Sequence, residues 1–444
     1  MDRGFNDVSR QCERDGRTAL KMVRIGLCIL FAFSVLAFGT VEVWSQSLLE
    51  IAAGMLFFLW AIIVSRDSKG TIYWNPLIWP ILSILAIGSL QLLFGGTPYR
   101  YLTRLELLRF GAYLIIFFLS VQVFRERLDL KKLAWFLIFL CFGVSLFGII
   151  QHFTSEGSLY WLRPLKVGDP FGPYVNRNHF AGFVELTLPI GLAMLVFRGV
   201  PRDVYPLVGL LSIVPAGALI LSGSRGGIVS FAFEIAVLWL LARVKQASER
   251  PQFVGVGIVA LAALALIAWL GAGRAIERFS TIHIGEVTVD RRVSMFRGAA
   301  HLFEDHPIVG VGLGSLVAAY PRYETVYDGK LVDHVHDDYI EMIAETGLLG
   351  GICGLTFLWI LFRLAKSCYA AEQGHFSRAL RAGAVTGLCG MLLHSFVDFN
   401  LHIPSNALLF LLLAHLATSP PLASEAVVTR RRVRARERDM LASE

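Results

Sequence analysis

The hydrophobic residues of this chain occur in long runs separated by short polar segments. A helix needs about 20 mostly apolar residues to cross a bilayer, and the runs that approach this length predict twelve spans. These spans are residues 23–39, 46–64, 76–94, 105–123, 131–151, 178–198, 203–221, 226–243, 253–271, 345–364, 379–397 and 402–419. Lipid offers the backbone no hydrogen-bond partner, and the runs are too long and continuous for barrel strands. The pattern therefore predicts an all-α polytopic membrane protein.

The composition agrees with this fold class. The chain has 444 residues, of which 55% are hydrophobic and only 17% charged, whereas soluble domains carry about 25% charged residues. The net charge of +7 indicates loops that face anionic lipid or substrate, and no nucleic-acid motif accompanies it. The six cysteines show no C-x-x-C spacing, so we expect neither a disulfide framework nor a zinc site.

The distribution of basic residues predicts the orientation. About two thirds of the Lys and Arg residues fall on one side when the N-terminus is placed inside. An even number of spans then puts both termini in the cytoplasm. The predicted segments are a cytoplasmic tail at 1–22, nine transmembrane helices within 23–271, a periplasmic loop at 272–344, three helices within 345–419 and a basic cytoplasmic tail at 420–444.

The long loop has a pattern of its own. From residue 290 to 306, Val293, Phe296, Ala300 and Phe303 recur at helical spacing, which predicts an amphipathic helix on the membrane surface or over the bundle. Pro307 ends it. The glycines at 310, 312 and 314 indicate a tight bend rather than a phosphate loop, because they follow no β-strand and lack the Walker lysine.

Arg225 lies in the compact break Ser-Gly-Ser-Arg-Gly-Gly at 222–227, between two apolar runs. Small neighbours let a phosphate approach the backbone, and ionisable groups at membrane depth usually face a cavity or a partner. An outer-loop arginine that extends to lipid headgroups is the other interpretation.

Arg291, Arg292 and Arg297 open the predicted loop helix. Arginine stays charged and binds phosphate through two parallel hydrogen bonds. These arginines either bind a phosphate-bearing substrate or rest on anionic lipid.

Two histidines lie just before the tenth predicted span. His336 is a candidate general base, because an imidazole accepts a proton near neutral pH, and Asp337 or Asp338 would fix its tautomer. Asp333, His334 and His336 could instead bind a metal ion, but no further ligand is evident nearby, so we predict no metal. A polar loop without chemistry is the remaining alternative.

Two more polar clusters adjoin predicted spans. Residues 176–182, Asn-Arg-Asn-His-Phe-Ala-Gly, either cap a helix, with Asn178 as the cap, or bind a sugar or phosphate. His394 and Asp398 are four residues apart, and we expect them to form a structural pair.

Several of these segments together resemble the O-antigen ligase/polymerase superfamily, whose members are polytopic glycosyltransferases that use polyprenyl-pyrophosphate-linked glycans. The resembling stretches cover roughly 176–400. They are Asn176 to Leu186, Ser222 to Gly227, Arg292-x-x-x-Phe296 leading into Asp305 to Gly314, and His336-Asp-Asp-Tyr-Ile-Glu-Met-Ile-Ala-Glu-Thr-Gly-Leu-Leu-Gly. The last is the most specific.

The resemblance implies a GT-C-like fold of about twelve transmembrane helices with one large periplasmic loop, and chemistry without a metal or cofactor. It implies that His336, Arg225 and Arg292 are catalytic. We add the neighbouring polar residues as expected substrate contacts: Arg177, Asn178, His179, Arg291, Asp337 and Tyr339. Two positions depart from the family pattern, since Asp337 stands where Asn is usual and Phe296 where Trp is usual.

The expected activity is transfer of a glycan from a polyprenyl-pyrophosphate carrier to an acceptor hydroxyl, with inversion, at the periplasmic side of a bacterial inner membrane. A lipid A–core acceptor would make the protein a ligase. A second lipid-linked glycan would make it a polymerase, and a protein hydroxyl an O-oligosaccharyltransferase. A transporter or flippase for an anionic solute is the alternative of a different class. The expected partners are the donor, the acceptor and the bilayer, with no nucleic acid.

Overall fold

A computed structural model describes residues 20–66, 71–165, 168–244, 253–270, 289–327, 329 and 331–421. The described chain is a helical bundle with one short β-hairpin. Its helices are α1 (20–36), α2 (Val43–Arg66), α3 (Ile78–Leu93), α4 (Arg100–Val123), α5 (Arg127–Thr154), α6 (Arg177–Val196), α7 (Tyr205–Ser222), α8 (Arg225–Val244), α9 (Val254–Leu270), α10 (Val289–Asp305), α11 (Leu316–Ala319), α12 (Asp338–Ala371), α13 (His375–His394) and α14 (Pro404–Thr418). Strands β1 (Ser158–Leu159) and β2 (Arg163–Pro164) pair antiparallel.

Each of the twelve predicted spans falls on one of these helices. By length and composition, seven helices of the described chain can cross a membrane: α2, α4, α5, α6, α7 with the turn before it, α8 and α12. Three more, α3, α9 and α14, are apolar but shorter. The protein is therefore a multi-pass α-helical membrane protein, as the hydrophobic pattern predicts.

Helix α6 forms the centre of the bundle and is buried along its membrane-length stretch. It packs against α13 through Gly383 and Gly387. A Cβ added at Gly383 would lie 2.8 Å from the Pro189 carbonyl oxygen of α6, and one at Gly387 would lie 2.9 Å from the Glu185 carbonyl oxygen. Small residues four apart let two helix backbones approach closely in lipid. This contact lies in the middle of both helices and fixes α6 and α13 relative to each other.

The described part of the long loop has a separate small core. The predicted loop helix is present as α10, and Val293 and Ala300 of its predicted apolar face are exposed. The buried side chains are instead those of Met295, Ala299 and Leu302. They pack with buried residues of the rest of the loop and of α12, namely Val311, Leu316, Ala319, Tyr320, Val332, Val335 and Ala344.

The glycine-rich segment is a bend, as predicted, since Gly310, Gly312 and Gly314 all have positive φ. Its backbone is already bound: the Glu345 carboxylate accepts hydrogen bonds from the Gly314 N–H at 2.8 Å and the Leu316 N–H at 3.0 Å. The segment is thus tied to α12. That helix begins at Asp338, ahead of the predicted start at 345, and is interrupted at Gly347.

Candidate active site

His336 lies in the loop that leads into α12. Its φ is +56°, a backbone region that a residue other than glycine rarely adopts. Its Nδ1 donates a hydrogen bond to Oδ1 of Asp398, 3.2 Å away, and its side chain is 15% exposed. The imidazole is therefore held from one nitrogen, and the bond orients the ring.

Asp398 lies between α13 and α14 and is buried. Its Oδ1 also accepts the Phe399 N–H at 2.9 Å, and its Oδ2 has no hydrogen-bond partner in the described chain. Burial would raise the pKa of Asp398, but the hydrogen bond from His336 and the nearby imidazoles of His179 and His394 outweigh burial and lower it. Asp398 therefore remains a carboxylate and holds His336 with Nδ1 protonated.

The sequence predicted that Asp337 or Asp338 would bind His336. Both carboxylates make other contacts, so that prediction is wrong. Asp337 is the N-cap of α12 and accepts the backbone N–H groups of Tyr339 and Ile340, each at 2.9 Å. Burial raises its pKa. A carboxylate at the residue before a helix satisfies N–H groups that the first turn leaves free. The adjacent position in sequence thus serves the helix rather than the histidine.

The Phe399 ring joins three histidines that are far apart in sequence. The His334 ring stacks on it at a centroid distance of 4.2 Å, and the rings of His179 and His336 meet it edge to face at 4.8 and 5.0 Å. His179 Nε2 is buried and has no hydrogen-bond partner in the described chain. The structure therefore brings the start of α6, the loop before α12 and the segment between α13 and α14 to one place.

The predicted cap of α6 is also corrected. Asn176, not Asn178, is the N-cap, and its side-chain oxygen accepts the Asn178 N–H at 2.9 Å. The Asn178 side chain is therefore not used to cap the helix.

Arg225 is the first residue of α8 and is exposed. The preceding turn is fixed by Gly223, a left-handed C-cap of α7, and by Ser224, whose hydroxyl accepts the Gly227 N–H at 3.2 Å. The turn also contacts the end of α13, because a Cβ at Gly226 would lie 2.6 Å from His394 Nε2. Asp398, which binds His336, follows His394 by four residues. The turn of Arg225 and His336 are therefore at the same end of the bundle.

Of the other predicted arginines, Arg177 begins α6, and Arg291, Arg292 and Arg297 lie on α10. Arg177 Nη1 bonds Asp169 Oδ2 at 2.7 Å and lies 3.8 Å from where a Cβ at Gly223 would be. Arg291 and Arg292 are half-buried on α10, and Arg297 is exposed. The Arg292 Nε atom is buried without a hydrogen-bond partner in the described chain. Met295, Ala299 and Leu302 of α10 belong to the same buried cluster as Val335, the residue before His336.

Tyr339 lies in the first turn of α12, and its hydroxyl donates to the Leu392 carbonyl oxygen at 2.6 Å. The Asp338 N–H donates to the Ser395 carbonyl oxygen at 3.0 Å. These bonds dock the start of α12 on the end of α13. They fix the loop that carries His336 relative to Asp398.

His394 and Asp398 do not pair, contrary to the sequence-based expectation. His394 Nδ1 lies 2.9 Å from Oε1 of Glu185 on α6. Glu234 of α8 is buried as well, and neither of its carboxylate oxygens has a hydrogen-bond partner in the described chain. Sequence reasoning did not single out these two glutamates, although an acidic residue inside an apolar run is itself a signal of function.

A second histidine–carboxylate cluster contacts Phe399 through the stacked His334 ring. His334 Nδ1 is 2.6 Å from Glu341 Oε1, His402 Nε2 is 3.4 Å from the same oxygen, and His402 Nδ1 is 2.7 Å from Asp338 Oδ1. Burial would lower the pKa of His402, but Glu341 and Asp338 outweigh burial and raise it to about 10. Glu341 likewise raises the pKa of His334 against the effect of burial. Sequence reasoning missed both His402 and Glu341.

Comparison with known proteins agrees with the resemblance found in the sequence. Residues 210–355 match the family described as O-antigen ligase. The matched segment is about a third of the chain and includes Arg225, Arg292, His336 and Tyr339. No curated protein matches the chain. The resemblance to the O-antigen ligase superfamily is thereby confirmed.

Proposed function

Starting from the O-antigen ligase match over residues 210–355, we propose that the protein transfers a glycan from a polyprenyl-pyrophosphate carrier to an acceptor hydroxyl. The reaction is of the O-antigen ligase type, with a lipid A–core sugar as the first-choice acceptor. The observation that carries the proposal is the His336–Asp398 pair beside the turn of Arg225. It combines an oriented base with an exposed cation at one end of the bundle.

His336 acts as the general base. Its Nδ1 is bonded to Asp398, so Nε2 carries the free lone pair and accepts the proton of the attacking hydroxyl. The acceptor oxygen forms a bond to the anomeric carbon while the bond from that carbon to the pyrophosphate oxygen breaks. The bonding electron pair leaves with the pyrophosphate. Attack from the opposite face inverts the anomeric centre, and the proton on Nε2 then passes to solvent.

Arg225 and Arg292 stabilise the negative charge that develops on the departing pyrophosphate. Donors aimed at developing charge provide a large part of catalysis in many enzymes. Arg225 suits this role because it is exposed and has no hydrogen bond or ion pair to another described residue. Arg292 offers a second guanidinium, whose Nε has no hydrogen-bond partner among the described residues.

The remaining predicted residues contact substrate around these groups. Arg177 and Arg291 add positive charge, Asn178 and His179 offer side-chain hydrogen bonds, and Asp337 and Tyr339 line the start of α12. The pyrophosphate is an activated leaving group, so the reacting atoms require no metal ion and no second carboxylate of the glycosidase type.

The proposed setting is a bacterial inner membrane, with both termini cytoplasmic. We assign all twelve long helices as spans of a GT-C-like fold. The site end of the bundle and the loop with α10 then face the periplasm. The basic residues support this orientation, because they concentrate on the opposite side.

The test is glycan transfer by the purified full-length protein, carrying an affinity tag without histidine, with a polyprenyl-pyrophosphate glycan and a panel of acceptors. Wild type is compared with His336→Ala and Arg225→Ala, with and without EDTA. The matched controls are His301→Ala and Arg322→Ala, which replace exposed residues of the same loop. We expect transfer that survives EDTA, is retained by the controls and is lost in both site variants.

Each result decides between named alternatives. The productive acceptor distinguishes a ligase from a polymerase or a protein O-oligosaccharyltransferase. Full turnover by folded His336→Ala would exclude the proposed base. Absence of transfer to every acceptor, together with uptake of an anionic solute into liposomes, would replace the enzyme by a transporter.

A further inference from the structure

Three side chains from three separate elements converge beside Phe399. His334 comes from the loop before α12, Glu341 from the first turns of α12, and His402 from the 3₁₀ turn at Asn400–His402 before α14. Their donor atoms all lie within 4.8 Å of one another. None of these side chains has a role in the transfer step described above.

The second contacts of these side chains direct the donor atoms inwards. His402 Nδ1 donates to Asp338 Oδ1 at 2.7 Å, so its Nε2 faces Glu341. Glu341 Oε2 accepts the Val335 N–H at 3.0 Å, which leaves Oε1 directed at both rings. A carboxylate that receives the far nitrogen of a ligating histidine is the usual outer contact of metal-bound histidines, and it fixes the tautomer.

The donor set is that of a transition-metal site. Two imidazole nitrogens and one carboxylate oxygen bind zinc in several metalloenzymes and leave a fourth position for water. Ligand atoms about 2.1 Å from a tetrahedral ion are roughly 3.4 Å apart. The His402–Glu341 separation is 3.4 Å, so binding requires only small movements of the other side chains. The His334 side chain is 29% exposed and Glu341 only 2%, which leaves entry from one side.

We propose that His334, Glu341 and His402 bind one divalent transition-metal ion, with Asp338 as the outer contact of His402. When the ion binds, it displaces the proton from the ligating nitrogen of each imidazole, and these protons pass to solvent. The two neutral imidazoles and the carboxylates of Glu341 and Asp338 then carry two negative charges, which balance a divalent cation. The ion joins the loop to α12 and to the turn before α14. It thereby holds His336, two residues after His334, without touching the reacting atoms.

Metal binding is measured directly on the purified full-length protein, tagged without histidine. After treatment with a chelator and its removal, the protein is titrated with Zn²⁺ in equilibrium dialysis and with Co²⁺ followed by visible absorption. We expect one tightly held ion per chain and the intense absorption of low-coordinate Co²⁺. Absence of saturable binding in wild type would overturn the proposal and leave an ion-pair cluster.

Variants assign the site. His402→Gln and Glu341→Gln each remove a ligand and should weaken Zn²⁺ binding at least 100-fold. Asp338→Asn keeps all three ligands and should weaken binding about 10- to 100-fold. His301→Gln is the matched control, because His301 is exposed and pairs only with Glu304 in the described chain, and it should bind as wild type does. Wild-type affinity for Zn²⁺ in folded His402→Gln would overturn the assignment. If that variant does not fold, wild-type affinity in Asp338→Asn would overturn it instead.

The proposal does not rest on the transfer activity, since binding is measured without substrate. Chelation should lower Tm more than it lowers turnover, because neither His336 nor Arg225 is a ligand. If the protein binds one ion but transfers no glycan, the proposed function fails and the site stands. If the protein transfers glycan but binds no metal ion, the metal site fails and the proposed function stands.

Discussion

His334 and His336 are two residues apart in one loop, yet they enter two different clusters. His336 bonds a single carboxylate, that of Asp398, through Nδ1, and in the proposed reaction its Nε2 accepts the proton of the acceptor hydroxyl. His334 meets Glu341, which also faces His402, and His402 meets Asp338. Phe399 contacts both histidines. One carboxylate on one nitrogen orients a base, whereas several carboxylates around two imidazoles form an ion-pair cluster or a metal site.

Replacing each of the two histidines by glutamine tests most directly whether the two clusters differ in function. His336→Gln should lower kcat for glycan transfer by about 10²–10⁴-fold, the usual contribution of a general base. His334→Gln should lower it far less and should instead lower Tm. Both variants are assayed with the same donor and acceptor and checked for monodispersity. Equal losses of kcat in the two variants would mean that the two clusters are not functionally distinct.

Arg225 supplies positive charge to the proposed site around His336, so its variants test the same comparison. Arg225→Ala should lower kcat by about 10²–10³-fold, as the removal of one donor to a developing negative charge does in other enzymes. Arg225→Lys keeps the charge but not the paired donors, so its kcat should lie between those of wild type and Arg225→Ala. Arg322→Ala is assayed beside them as the control. Wild-type kcat in Arg225→Ala would leave the leaving-group role to Arg292 and the other arginines.

Asp398 separates orientation from charge at His336. A hydrogen bond to a charged group contributes about 1.5–3 kcal/mol, so Asp398→Asn should lower kcat by about 10- to 100-fold. The effect should vanish in the background of His336→Gln, because Asp398 acts through the imidazole. A double-mutant cycle on kcat measures this coupling. Additive losses would show that Asp398 supports the loop by some other route.

Glu341 should give the smallest effect on transfer and a large effect on stability. Removing one partner from a buried charged cluster costs about 3–5 kcal/mol, so Glu341→Gln should lower Tm clearly. The kcat of the molecules that remain folded should fall only a few-fold, because Glu341 does not touch His336 directly. Thermal unfolding and transfer are measured on the same preparation. A loss of kcat as large as that of His336→Gln would place Glu341 in the reaction.

The sequence determined the fold class and the positions of the long helices, because apolar runs of membrane length must become helices in lipid. It also identified the loop helix, the glycine bend and the motifs that contain His336, Arg225 and Arg292. These features follow from local patterns of residues. Which side of α10 is buried within the protein depends on its partner, here the core around Tyr320 and Val335, and the spacing of its apolar residues does not record that.

Only the tertiary structure decided which charges pair. Asp337 and Asp338 adjoin His336 in sequence, but a helix start directs their carboxylates to its own N–H groups and to His402. Asp398 bonds His336, which is 62 residues away in sequence. His394 bonds Glu185 rather than Asp398. The physical reason is that a buried charge must find a partner at hydrogen-bond distance. Helix packing sets that distance, which spacing along the chain does not record.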